Sequence, residues 1–235
     1  MLSNLFICAS KEKNRFEKHV PAPFFRRRFT LTRRQSAEIT ICGLGFYELY
    51  INGEKITKGR LAPYISNPDD VVYYDKYDLT DHIRSGENVV GILLGNGLIN
   101  NPGGKTWDFD KAGFRSSPKF AIHFSSDEVR FEADDKFKTA DSPILFDDYR
   151  CGEIYDARRE IEGWTLPGFN DSDWKAPIKA EAPKGMRRYC TAEPIREFDR
   201  ISPVSVTKTE QGYLYDFGIN EAGICRLKIN GEAGQ

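Results

Sequence analysis

Histidine is scarce in this 235-residue chain: His19, His82 and His123 stand far apart, and none has a second metal-ligating type at motif spacing. The five cysteines (Cys8, Cys42, Cys151, Cys190, Cys225) are odd in number and form no C-x-x-C pair. That spacing argues against a zinc site and against a disulfide framework, and fits a reducing compartment. Long apolar runs are also missing. Leu5-Phe6-Ile7-Cys8 has no basic leader, is shorter than a signal-peptide core and far too short to span a bilayer. The expectation is a cytoplasmic chain with no membrane partner. An excess of one charge is absent too: the formal net charge is −1, which gives no reason to expect a nucleic-acid partner. The basic runs Arg26-Arg27-Arg28 and Arg33-Arg34 read instead as gatekeepers on a solvated edge strand. No helical period, fixed repeat or low-complexity tract is found. The GLG at Gly43–Gly45 lacks the helix that a phosphate loop requires.

What is present is aromatic and β-branched. The chain holds 16 Phe, 11 Tyr and 3 Trp, large pieces for a core. The segment from Phe46 to Ile51 runs into Asn52-Gly53, and Lys55-Ile56 starts the return. A type I′ turn needs φ > 0 at both central residues, so Asn-Gly marks a hairpin. An extended YYDKYDLT segment follows, then a polar turn from Asp81 to Arg84, and an apolar strand from Val89 to Leu94 closed by Gly95-Asn96-Gly97. Hairpins, long loops and glycine turns in this order are what an antiparallel β-sandwich needs; a parallel sheet would alternate strands with long helices. The expected fold class is all-β.

Residues 1–24 read as a lead-in ending in Pro21-Ala22-Pro23. Phe24–Leu31, Ala37–Cys42, Lys119–Phe124, Glu128–Phe131 and Phe137–Ala140 are further strand candidates. Composition shifts near Ala192-Glu193-Pro194. The domain expectation is therefore a lead-in over 1–24, a sandwich over 25–192, and the start of a second sandwich over 193–235, with strands at Val204–Thr207, Tyr213–Phe217 and Ile224–Ile229. Three strands leave an open edge and an uncovered apolar face, so the second sandwich is expected to continue beyond Gln235.

Between Asn96 and Pro118 the chain loses all regular period yet keeps Trp107, Phe109 and Phe114. Long irregular loops in compact domains are usually functional, and embedded aromatics argue against disorder. Asn96, Asn100, Trp107, Asp108, Asp110 and Arg115 are the candidate carbohydrate-binding residues: an aromatic platform for a ring face beside planar polar groups for hydroxyls. The competing reading has Trp107 plugging the loop and the acids pairing with Lys105, Lys111 or Arg115. Asp147, Asp148, Glu153 and Asp156 read either as ion-pair partners of Arg150, Arg158 and Arg159, as calcium ligands, or as a contact with another domain. Tyr155 is expected to pack inward while Arg158 pairs with an acid. Phe169, Asp171, Ser172 and Trp174 read as architectural, with Trp174 closing over the core.

Several phrases together, DLTDHIRSGENVVGILLGNG and GFNDSDW, resemble the galactose-binding-like jelly rolls that accompany bacterial glycoside hydrolases. More narrowly, LGFYELYINGEKI, LLGNGLINN, WDFDKAGFR and GEIYDARRE resemble the N-terminal domain of bacterial α-L-rhamnosidases, in that family's order. YLYDFGINEAGICRLKINGEAGQ is similar to the opening strands of the concanavalin-like sandwich that follows. The pattern is departed from at Leu98-Ile99 and at Gly113-Phe114, where the family carries more aromatic surface. The resemblance implies inverting hydrolysis of terminal α-L-rhamnosyl bonds by acids of an (α/α)6 barrel C-terminal to these sandwiches, with carboxylates about 6.5–9.5 Å apart around the attacking water. It implies no catalytic residue in this chain. The expected partners are that barrel in the same polypeptide and rhamnosyl glycans. No cofactor is expected. Calcium, which some sandwich domains of the family bind with rhamnose, is the alternative. A free-standing module for rhamnose-containing glycans and a structural spacer are the other functional readings.

Overall fold

The computed structural model describes residues 2–104 and 108–232. Two compact units are present, Met1–Arg196 and Glu197–Gln235. The first carries fourteen strands: β1 (Phe6–Cys8), β2 (Pro23–Leu31), β3 (Ala37–Leu44), β4 (Tyr47–Ile51), β5 (Glu54–Lys55), β6 (Val71–Asp78), β7 (Gly86–Leu94), β8 (Lys119–Ser126), β9 (Arg130–Glu132), β10 (Lys138–Asp141), β11 (Ile144–Asp148), β12 (Gly152–Tyr155), β13 (Ile178–Ala180) and β14 (Met186–Tyr189). One sheet runs β13-β1-β8-β3-β6-β14 with β9 beside β8, the other β10-β2-β7-β4-β5. The pairings are antiparallel except for β14, which lies parallel to β6. The all-β sandwich expected from the hairpin order is what the chain forms.

Period-2 patterning explains the packing. Tyr47, Leu49 and Ile51 of β4 are buried while Glu48 and Tyr50 are less so, because alternate side chains of a strand face opposite ways. The inner faces meet through Phe25 against Phe120 (ring centroids 4.8 Å) and Phe29 against Phe124 (4.7 Å). At the hairpin tip, Asn52 has φ 51° and Gly53 φ 91°, the left-handed pair that the Asn-Gly signal demands.

Residues 1–24, read as a lead-in, join the sandwich: β1 pairs with β8 and β13, and Leu2, Phe6 and Cys8 are buried. Two expectations are corrected. The run Arg26-Arg27-Arg28 is not on a solvated edge. β2 lies inside its sheet between β10 and β7, with Arg26 fully buried and Arg27 nearly so. The outer face of that sheet is covered by the 163–174 segment, which local sequence does not reveal. Trp164 stacks on Phe24 at 4.1 Å and contacts Tyr50 at 5.5 Å. Room for it comes from Gly91, which pairs with both Arg26 and Tyr50 and whose missing Cβ would lie 2.8 Å from Thr165. Trp174 completes the cover over Phe24, in the architectural role expected of it. Tyr155 does not pack inward but is half exposed on β12, the outer strand of the small β11-β12 pair.

In the second unit, β15 (Ser205–Thr209) and β16 (Gly212–Asp216) form an antiparallel hairpin. The strand expected at Ile224–Ile229 is not formed. Ile224, Leu227 and Ile229 are exposed, and no ladder partner for them exists among the described residues. A strand is defined by its neighbour's hydrogen bonds.

Candidate functional site

The loop after β7 is held at its root by three asparagines. Asp147 of β11 accepts hydrogen bonds from the Asn96 backbone N–H (2.7 Å), the Asn96 side chain (2.8 Å) and the Gly97 N–H (3.3 Å). Burial pushes the Asp147 carboxyl up, and these donors pull it back. The same Asn96 amide donates to the Val20 carbonyl at 2.8 Å, and Asn96 Oδ1 accepts from Asn100 at 2.7 Å. Asn100 Oδ1 in turn accepts the Asn14 N–H at 3.1 Å, and Asn14 Oδ1 accepts the Val20 N–H at 3.0 Å. Asn101 donates to Asp148, which also accepts the N–H groups of Arg150 and Cys151. The network joins the loop to the 12–20 segment and to β11.

Among the predicted residues, Asn96 and Asn100 are fully buried and their amides are engaged within the protein. They hold the loop, with their amides turned to partners inside the protein. A buried amide is costly unless bonded, so a polar ligand-type residue was here recruited as a strut. Trp107 lies outside the described residues. Asp108 is exposed and pairs with Lys111 at 3.2 Å, the ion pairing that the competing reading anticipated.

Asp110 and Arg115 come together with a residue the sequence did not single out. Arg115 donates to the Asp110 carbonyl at 3.3 Å and to the Asn14 carbonyl at 2.7 Å. Burial lowers the Arg115 pKa, partly offset by Asp110. Asn14 Nδ2, Asp110 Oδ1 and Arg115 Nε are all buried without a partner. Two donors and one acceptor in one neighbourhood suit a small polar group that both gives and takes hydrogen bonds. Asn14 carries no motif; only its pairing across the loop brings it in.

Of the acids Asp147, Asp148, Glu153 and Asp156, the first and third stand opposite each other on β11 and β12, where burial and then the Asp147 charge raise the Glu153 carboxyl. Asp147 and Asp148 are bound to amides, while Asp156 pairs with Arg158 at 2.8 Å, which drives its carboxyl down to about 2. Arg158 thus pairs with an acid, as its sequence context suggests. No group of three or more His, Cys, Asp or Glu placed to hold a metal ion is found among the described residues.

The chain's first unit is thus an all-β sandwich with a long loop braced at its root. Comparison with known proteins narrows this. Residues 32–199 match the family model of the α-L-rhamnosidase N-terminal domain, and the chain belongs to that family. An α-L-rhamnosidase of Formosa agariphila is 34% identical over 226 residues, covering 91% of this chain and 23% of that protein. The structure of an α-L-rhamnosidase from Dictyoglumus thermophilum superimposes with a TM-score of 0.77 at 34% identity, over 92% of this chain and 25% of that one. The Streptomyces avermitilis α-L-rhamnosidase, solved in complex with L-rhamnose, gives a TM-score of 0.75 at 26% identity over 85% of this chain and 20% of that one. The chain spans about a quarter of the length of the relatives it matches.

Proposed function

We propose that this chain is the non-catalytic front of an α-L-rhamnosidase, supporting a catalytic (α/α)6 barrel that follows on the same polypeptide. The observation that carries this reading is the family match over 32–199 in a chain that spans about a quarter of its relatives. The parent reaction is the inverting hydrolysis of terminal α-L-rhamnosyl bonds, and its paired carboxylates belong to the barrel. Asp147 and Asp148 are engaged with asparagine amides, Asp108 with Lys111 and Asp156 with Arg158, which supports a scaffolding role for these acids. Residues 193–235 are read as the opening of the following concanavalin-like sandwich, in keeping with the exposed apolar side chains Leu214, Ile224 and Leu227. The purified chain is expected to give no turnover of an aryl α-L-rhamnoside above buffer. Hydrolysis that disappears in Asp108→Asn or Asp156→Asn would overturn the reading.

A second reading, a carbohydrate-binding module for rhamnose-containing glycans, rests on Asp108, Asp110 and Arg115, the candidate loop residues that keep surface exposure. Titration with L-rhamnose, with and without calcium, should then give saturable heat that Arg115→Ala removes. Silence across the millimolar range would discard this module reading and leave the scaffold alone.

A further inference from the structure

A cavity of about 240 Å³ opens beside β6, between the 57–64 segment and the 189–195 segment. Its walls are tied to the fold by backbone hydrogen bonds. The Arg60 N–H donates to the Ile195 carbonyl at 2.9 Å and the Cys190 N–H to the Tyr74 carbonyl at 2.8 Å. The cavity is therefore preformed.

Its floor is unusual for the position it occupies. In β6, Asp75 pairs with Ile41 and Tyr77 with Ile39. Directly paired residues point to the same face of a sheet, and Ile39 and Ile41 belong to the central core. The inward face of β6 thus turns polar where the core would otherwise continue, and Asp75 and Tyr77 line the cavity. The buried Tyr47 hydroxyl donates to Asp75 Oδ2 at 2.5 Å and lies 3.0 Å from the Tyr77 hydroxyl. Tyr47 has one proton and spends it on Asp75, so Tyr77 must donate to Tyr47. This relay fixes both side chains and leaves acceptor lone pairs on Asp75 and Tyr77 for the cavity. Burial raises the Asp75 carboxyl and the Tyr77 phenol, the latter to about 12.

The ligand class follows from what surrounds these acceptors. Lys58 and Arg60 at the lining supply donors, and Tyr64, whose ring meets Tyr73 of the same β6 face at 6.4 Å, supplies an aromatic face. Two cations disfavour an amine, and Asp75 in the floor disfavours an anion. The volume falls below the roughly 300–1,000 Å³ of pockets for drug-sized ligands, so the occupant is a single small ring. We propose that this cavity binds one neutral monosaccharide ring, with its hydroxyls donated to Asp75 and Tyr77 and the Tyr64 ring as its apolar wall. The site shares no residue with the loop of Asn14, Asp110 and Arg115.

The test is an NMR titration of the full chain, with ring-labelled tyrosines, against L-rhamnose, D-galactose and D-glucose. At least one sugar should shift Tyr77 and Tyr64 saturably while Tyr50, on the outer face of the other sheet, stays still. Asp75→Asn keeps an acceptor for Tyr47 but loses the charge, and should weaken those shifts by about tenfold, the loss of one charge-assisted hydrogen bond. A thermal melt at or above the parent temperature checks that this variant is folded. The proposal is overturned if none of the three sugars moves Tyr77 and Tyr64, or if a folded Asp75→Asn titrates like the parent.

Discussion

The Arg26 guanidinium and the Asp171 carboxylate form an ion pair with 0% and 5% of their side chains exposed, though 145 positions separate them in the chain. Arg26 also donates to the carbonyls of Trp164 (2.9 Å), Leu166 (3.2 Å) and Phe169 (3.4 Å), so one side chain gathers the whole covering segment onto β2. Removing one partner of such a pair strands a buried charge. Asp171→Ala should cost about 3–5 kcal/mol, whereas Arg26→Met combined with Asp171→Leu should cost less than either single change. Urea denaturation of the three variants checks this; equal losses in all of them would refute a pair-specific role.

The loop root offers a second prediction. Asn100→Ala leaves the Asn14 N–H and Asn96 Oδ1 without partners in a buried setting. The expected loss is about 1–3 kcal/mol. Loop amides should show faster hydrogen exchange, while β3 and β8 at the core keep their protection.

Gly91 supplies a third. A Cβ there would come within 2.8 Å of Thr165 and 3.0 Å of the Trp164 ring. Gly91→Ala should destabilise by about 1–3 kcal/mol through overpacking and lift Trp164 off the sheet. A red shift of tryptophan emission in the native variant would report the displacement; an unchanged spectrum with unchanged stability would contradict it.

Opposite pH dependences are expected from two acids. The Asp156 carboxyl is held at about 2 by Arg158, below its ordinary 3.8. Its contribution is therefore complete above 3.8 and is lost as the pH falls towards 2, and Asp156→Asn should flatten the acid limb of stability over that window. Asp75 is raised by burial. The folded protein holds that proton longer than the unfolded chain, so the associated stability is full below 3.8 and is lost as the pH rises through the folded value. At neutral pH, Asp75→Asn should leave stability unchanged or higher. Denaturation at several pH values distinguishes the two signs.

The strands and the hairpin were readable because their signals are local. Alternating burial along β4 and the left-handed pair Asn52-Gly53 depend only on neighbours in sequence. The family was readable for the same reason, since its motifs are short and occur in order. The fate of polar side chains was not readable. Asn96 and Asn100 have the chemistry of ligand contacts, and Arg26 that of a solvated charge; burial made struts of all three. Burial is set by segments that return from far along the chain, as 163–174 returns to β2 and 12–20 to the loop. Asn14 beside Arg115, and Asp75 beneath Tyr47, arise in the same way. Local pattern specifies which face of a strand turns inward; what stands opposite it, and so whether a charge meets water, a partner or a cavity, is a property of the assembled fold.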